Sequence, residues 1–300
     1  MASSREIDAT YNYMDLLFRR TLGENADITC AMYDNDFSKS LERAQRDKHD
    51  YILRNTGFYP GARVLDIGCG WGGFLKAIRD RQGIGTGLTL SKAQARACRR
   101  NGFDVRLMDW KDISPGTLGT VAVVVSIGSF EHFCSEEEFI ARKQDWIYSR
   151  FFEFCHSILP NKGRLFLQTM LWGRRVPEPA EISLGAKKGS DEYILAVLRR
   201  FYPGSWLPSG AEQITRAADS YFRLISSKNG KTDYIQTMTE WGLRMRRFRA
   251  ANLLAYVRSV RWILTDADAR YKLETLLASY NRECFKRELM DHERMVFEKL

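Results

Sequence analysis

What the chain lacks narrows it first. It has only four histidines, His49, His132, His156 and His292, and its six cysteines are scattered without metal-ligand spacing. Neither pattern supports a metal site. No apolar run reaches the roughly 18 residues that cross a bilayer. No apolar signal segment precedes the first cysteine, so a reduced, cytoplasmic protein, soluble or peripheral at a membrane, is expected. Repeats, low-complexity tracts and a Ser-His-Asp arrangement are absent, as is the Asn/Asp-Pro-Pro-aromatic motif of base-amine methylation. Of only seven prolines, four fall between Leu171 and Gly210.

What is present suffices for a full core, since 300 residues at 44% hydrophobic content can be read as one domain. A net charge of +9 suggests an anionic partner, with nucleic acid and an anionic membrane face both open on that ground alone. The most informative stretch is Val64-Leu65-Asp66-Ile67-Gly68-Cys69-Gly70-Trp71-Gly72-Gly73, an apolar strand running into clustered glycines. Gly68, Gly70 and Gly72 let the backbone turn sharply and approach a ligand, and Phe74 to Ile78 continues as a helix whose first amides face it. Asp66, near the strand's end, can accept hydrogen bonds.

Along the chain, an amphipathic helix is expected from Asp8 to Gly23 and a second from Ser38 to Asn55, with Ser38 as its cap. Strands at Arg63–Ile67, Gly85–Leu90, Asp104–Met108, Val121–Ser126 and Gly163–Met170 alternate with helices at Lys92–Asn101 and Tyr148–Leu159. This is the rhythm of a doubly wound α/β sheet. The expected division is a helical cap over residues 1–58, a cofactor-binding core over 59–170, a proline-bearing lid over 171–210, and C-terminal helices and strands over 211–300. That last part opens with a helix at Ala211–Ser220 and a strand at Phe222–Ser226. Two or three long helices then reach about Asp291, before a short final strand at Arg294–Glu298.

Several phrases together resemble the cyclopropane fatty acid synthase family, including its mycolic acid methyltransferase branch. They are Thr29-Cys30-Ala31-Met32-Tyr33, the glycine loop, Gly87-Leu88-Thr89-Leu90-Ser91-Lys92-Ala93-Gln94, Ser126-Ile127-Gly128-Ser129-Phe130-Glu131-His132-Phe133, and Tyr234 to Trp241. The resemblance implies a class I, Rossmann-like methyltransferase with a seven-stranded sheet and S-adenosylmethionine as cofactor. By the same resemblance Thr89, Leu90 and Gln94 touch the cofactor, Trp110 packs near its adenine, and Asp66, Gly68, Gly70, Thr29 and Ser126 complete the cofactor set. Most such folds place an acidic residue after the second strand; this chain has the family's neutral Thr-Leu-Ser pattern there.

The chemistry implied is methyl transfer to the double bond of an unsaturated fatty acyl lipid, through a carbocation. A cation in an apolar pocket needs aromatic faces or carboxylates around it, and a base if the product is a cyclopropane or methylene. Glu131 suits the electrostatic role. The family's base is a bicarbonate held in part by cysteine, glutamate, histidine and tyrosine side chains, which implies Cys30, Glu131 and Tyr234 here. The family's histidine falls at Gln168, which can donate a hydrogen bond to bicarbonate but cannot carry its proton. A methyl or methylene branch therefore stays open beside a cyclopropane, as does an isoprenoid or other alkene-containing natural product in place of the lipid. From Trp241 to Leu264 six arginines occur with no acidic residue, a pattern that fits either a solvated face or contact with an anionic membrane. An acyl-carrier-bound substrate is the alternative to a phospholipid, nucleic acid is not expected, and an oligomer is left open.

Overall fold

The computed structural model describes residues 22–23, 27–202, 204–246, 257, 271, 274–275 and 278–300. Most of the helix expected at Asp8–Gly23 and most of the basic stretch beyond Arg246 lie outside them. Helix α1 (Leu41–Asn55) is capped by Ser40, whose hydroxyl accepts from Arg43 N, and not by Ser38, which donates instead to Asp36. The strands and helices that follow are β1 (Arg63–Ile67), α2 (Gly73–Asp80), β2 (Ile84–Thr89), α3 (Lys92–Arg100), β3 (Asp104–Leu107), α4 (Pro115–Leu118) and β4 (Val123–Ile127). Next come α5 (Glu136–Ile140), α6 (Gln144–Ile158), β5 (Arg164–Trp172), α7 (Asp191–Phe201), α8 (Ala211–Ala218), β6 (Phe222–Asn229), α9 (Lys231–Arg246), α10 (Tyr280–Lys286) and β7 (Met290–Lys299).

The seven strands form one sheet in the order β3-β2-β1-β4-β5-β7-β6, with β7 antiparallel to both its neighbours. Strand β4 is buried at every position because helices cover both faces, which is why it reads as an unbroken apolar run. Alternate side chains divide the core. Leu65, Val124, Leu165 and Leu167 pack with Phe151, Phe152 and Phe297 on one face, while Val64, Val123, Val125 and Phe166 meet Ile52, Leu75 and Ile78 on the other. Each such fully buried side chain contributes roughly 1.5–3 kcal/mol.

The strand order reverses between β1 and β4, and ligands of open α/β sheets bind at that switch point, beyond the strands' C-terminal ends. A third cluster, with Ile194, Leu198, Met238, Phe285 and Leu289, joins α7, α9 and α10, and Met170, Trp172 and Tyr234 pack against it. The 171–210 stretch thus carries a helix of its own, capped by Ser190. The final strand spans ten residues from Met290, well beyond the short one expected, and β6 runs on to Asn229.

Candidate active site

Between β1 and α2 the chain turns on Gly68, Gly70 and Gly72, all at positive φ. At Gly68 a Cβ would fall 2.4 Å from Ser129 Cβ, so only glycine lets the loop after β1 meet the loop after β4. Ser129 links the two strands, donating to Ile67 O at 2.7 Å and sharing a hydrogen bond with Ser126 Oγ. A cavity of about 130 Å³ opens above this crevice. Thr29, Asp66, Gly68 and Gly70 line one side of it, and Thr89, Leu90, Gln94 and Trp110 another. Ser126 does not line it; its hydroxyl is turned to Ser129, which does. Ser91 caps α3 and so sets Gln94 at the third helical position, where its Oε1 accepts from Thr89 Oγ1 at 2.7 Å.

Two buried polar atoms facing this cavity have no protein partner among the described residues, Asp66 Oδ1 and Trp110 Nε1. Burial lifts the Asp66 carboxyl to about 7. Sequence reasoning missed three residues of the same wall. Asp27 receives Lys48 Nζ at 2.5 Å, Thr29 Oγ1 at 2.6 Å and His49 Nε2 at 3.2 Å, and Lys48 is fully enclosed. Burial would raise the Asp27 carboxyl, but the Lys48 charge and the His49 hydrogen bond hold it well below its ordinary range. In the sequence Lys48 and His49 sit in Arg46-Asp47-Lys48-His49-Asp50, which looks like a solvated helical face. Only the strap at 27–33 folding over α1 makes it a buried ion pair.

The orphaned Asp66 oxygen, the orphaned indole N–H and the glycine cradle fit S-adenosylmethionine. Asp66 would accept from its amino group, Thr89 and Gln94 would meet the ribose, and Trp110 would pack on the adenine.

Glu131 lies in a single 3₁₀ turn, Phe130–His132, just past β4. It is 3% exposed, Thr169 Oγ1 donates to its Oε2 at 3.0 Å, and burial raises its carboxyl to about 7. Neighbouring His132 is held by Ser205 at 2.7 Å, with burial lowering it to about 4, so it stays neutral. Gly128, at φ +71°, brings the strap onto this turn: a Cβ there would lie 2.7 Å from Thr29 Cγ2 and 3.8 Å from Glu131 Oε1.

Cys30 and Gln168 are brought together by a residue the sequence did not single out, Arg294. The guanidinium donates to Cys30 Sγ at 3.1 Å, Ala31 O at 2.8 Å, Gln168 Oε1 at 3.3 Å and Asp233 Oδ2 at 2.8 Å. Gln168 Nε2 donates to Cys30 O at 3.4 Å, and burial pushes the Cys30 thiol up to about 12. Tyr234 stands apart from these bonds, on α9 beside Asp233, and lines a second cavity. The family resemblance leaves bicarbonate open as an additional occupant of a site made by Cys30, Glu131, Gln168 and Tyr234. The sulfur and the amide oxygen are already bonded to Arg294 and Glu131 to Thr169, so these residues do not fit such a site.

The second cavity, of about 90 Å³, is lined by Met170, Phe201, Tyr202, Tyr234, Met238 and Trp241 among others, and Ile28 lines both cavities. Arg244, one of the arginines that fit either a solvated face or a membrane contact, is clamped by Glu42 through two hydrogen bonds of 2.5 and 3.0 Å. Among the described residues no group of three or more His, Cys, Asp or Glu could hold a metal, and no helix is long and apolar enough to cross a membrane.

A seven-stranded sheet with a glycine cradle at its switch point and a cavity suited to a methionine-nucleoside donor defines a class I S-adenosylmethionine-dependent methyltransferase. Residues 1–261 match the family described as mycolic acid cyclopropane synthetase, and the chain belongs to that family. Cyclopropane mycolic acid synthase 2 of Mycobacterium leprae is 29% identical over 252 residues, covering 78% of this chain and 77% of its own length. Hydroxymycolate synthase MmaA4 of Mycobacterium bovis is 29% identical over 249 residues, covering 79% and 76%. Among solved structures, mycolic acid cyclopropane synthase CmaA1 complexed with SAH and CTAB superposes with a TM-score of 0.78 at 25% identity, over 99% of this chain and 98% of that one.

Proposed function

We propose that this enzyme methylates the double bond of a long unsaturated acyl chain. The observation that carries the reading is Ile28, which lines both the donor cavity and a second cavity walled by aromatic and aliphatic side chains. When bound, S-adenosylmethionine supplies an electrophilic methyl group on its sulfonium. The apolar cavity holds the alkene, and Phe201, Tyr202, Tyr234 and Trp241 offer ring faces to the positive charge that appears when the alkene's π electrons form the new carbon–carbon bond. Glu131, buried and fixed by Thr169, adds a carboxylate whose attraction for that cation is strengthened by the absence of water. With its carboxyl near 7, Glu131 is also a competent proton acceptor. Removal of a proton from the added methyl group closes a cyclopropane; if a hydride first shifts so that the cation moves to the carbon bearing that methyl group, removal of a methyl proton instead gives a methylene branch. The 1–300 single-domain division, with the 171–210 stretch as a substrate lid, belongs to the same proposal: α7, within that stretch, brings Phe201 to the apolar cavity. A phospholipid is the favoured carrier, and the enzyme would then meet it at an anionic membrane face.

Mass spectrometry of lipids after incubation with unsaturated phospholipid and S-adenosylmethionine bearing a fully deuterated methyl group tests this. Product lacking one methyl deuteron indicates a cyclopropane or a methylene branch, and product retaining all three indicates a methyl branch. Labelling only of an isoprenoid or carrier-bound acyl chain would overturn the phospholipid assignment.

A further inference from the structure

Arg294 lies on β7, buried on every side at 0% exposure, in register with Gln168 on β5. Four of its five N–H directions are spent, one each on Gln168, Asp233, Cys30 and Ala31. Asp233, 4% exposed, uses its other oxygen to accept from Tyr33 N at 3.1 Å and Asp34 N at 3.0 Å. The strap bearing Thr29 and Cys30 is thus tied to β5, β7 and the first turn of α9, the turn that carries Tyr234. Gly230 closes the far side: a Cβ there would sit 2.9 Å from Arg294 Nη1 and 2.4 Å from His292 Nδ1.

A buried cation that meant to hold an exogenous anion would need its charge uncommitted. Here the guanidinium is matched by the Asp233 carboxylate at 2.8 Å, inside a region closed to water. A second anion brought beside that carboxylate would be repelled at low effective dielectric while finding Cys30 and Gln168 already bonded. Among the described residues the other fully buried cation, Lys48, is likewise paired, with Asp27.

We propose that Arg294 is a positioning residue, tying the strap of Cys30 and Ala31 to Gln168, the neighbour of the Thr169 that holds Glu131, and that, with Asp233, it replaces a bound anion, so that this enzyme works without bicarbonate. The proposal rests on the C-methyltransferase reading, with Glu131 left to take the proton: the C–H electron pair becomes the new carbon–carbon bond and the carboxylate becomes a carboxylic acid.

Two measurements on the full-length enzyme test it. The first is carbon-13 NMR of labelled bicarbonate titrated with enzyme, which needs no substrate and therefore fails independently of the acyl-chain reading. The wild type should show no saturable line broadening at millimolar bicarbonate, whereas Asp233→Asn, which frees the guanidinium charge, should acquire it. Saturable binding by the wild type overturns the replacement, and so does a folded Asp233→Asn variant that binds none. The second is a comparison of kcat and KM in Arg294→Lys, which keeps the charge but loses the planar fork. The expected result is kcat lower by about tenfold or more with KM for S-adenosylmethionine within about threefold, because the donor cavity does not touch Arg294. Unchanged kcat overturns the positioning role. The neutral double variant Asp233→Asn/Arg294→Gln leaves no unpaired buried charge; if Arg294→Lys does not fold, its kcat decides the matter by the same criterion.

Discussion

Thr169 Oγ1 donates to Glu131 Oε2 at 3.0 Å, joining the end of β5 to the turn after β4. Burial raises the carboxyl to about 7, outweighing this bond and the backbone hydrogen bonds at Glu131 and Met170, all of which favour the ionised carboxylate. The ionised form stabilises the cation and accepts the proton. At saturating donor, kcat should therefore rise with pH through about 7 and level off above it. A kcat that is flat between pH 5.5 and 8.5, or falls as pH rises, would remove Glu131 from the rate-determining chemistry.

Glu131→Gln keeps the shape and can still accept from Thr169, but it carries no charge. We expect kcat to fall by about 10²-fold or more, the scale seen when one preorganised electrostatic group is lost. Calorimetry should find the S-adenosylmethionine Kd within about threefold of wild type. Near-normal turnover would sink the electrostatic role.

Lys48→Met leaves Asp27 buried with only His49 and Thr29 beside it. Breaking one half of a buried ion pair costs about 3–5 kcal/mol. Denaturant unfolding should report that loss, and donor affinity should weaken as well because Asp27, Thr29 and Lys48 all line the donor cavity. A stability change under 1 kcal/mol would show the pair to be dispensable.

Gly128→Ala forces a side chain into a positive-φ position 2.7 Å from Thr29 Cγ2. Backbone strain of about 1–3 kcal/mol is expected, and relief must come from lifting the strap off the donor cavity. The measurable outcome is a weaker Kd for S-adenosylmethionine; an unaltered Kd would mean the strap does not close the donor site.

Met238 lines the apolar cavity but not the donor cavity. Met238→Trp should raise KM for the acyl substrate by about tenfold, as lost pocket volume does, while leaving S-adenosylmethionine affinity unchanged. Equal effects on both ligands would argue against separate chambers.

The first half of the sheet was open to sequence reading because its signals are local. Apolar β1 runs into glycines, β4 is an unbroken buried run, and Ser91 and Gln94 announce the start of α3. The last strand was legible only from Arg294 on, because Met290-Asp291-His292-Glu293 carries so many polar groups that it resembles an exposed connection. It is buried because β5 and β6 flank it and α9 covers it, and none of those neighbours is adjacent in sequence. The same holds within the site. Glu131 and the glycine loop announce themselves through neighbouring residues, whereas Arg294 and Lys48 acquire their partners only through long-range contacts. Ser40 displaced Ser38 as the helix cap for a smaller reason, since Asp36 captures the Ser38 hydroxyl and backbone N–H first.

The bond between Cys30 and Arg294 spans 264 positions of the chain. During synthesis the strap emerges long before β7, and β7 must then slot between β5 and β6 and not simply add to an edge. Until it does, Asp233 has no cation, Cys30 has no donor, and two open strand edges invite pairing with another chain. Such non-local closure is slow. The nascent protein thus passes through a stage in which the donor-binding half of the sheet can assemble while the reactive cluster cannot, so methyl transfer is withheld until the whole sheet is continuous.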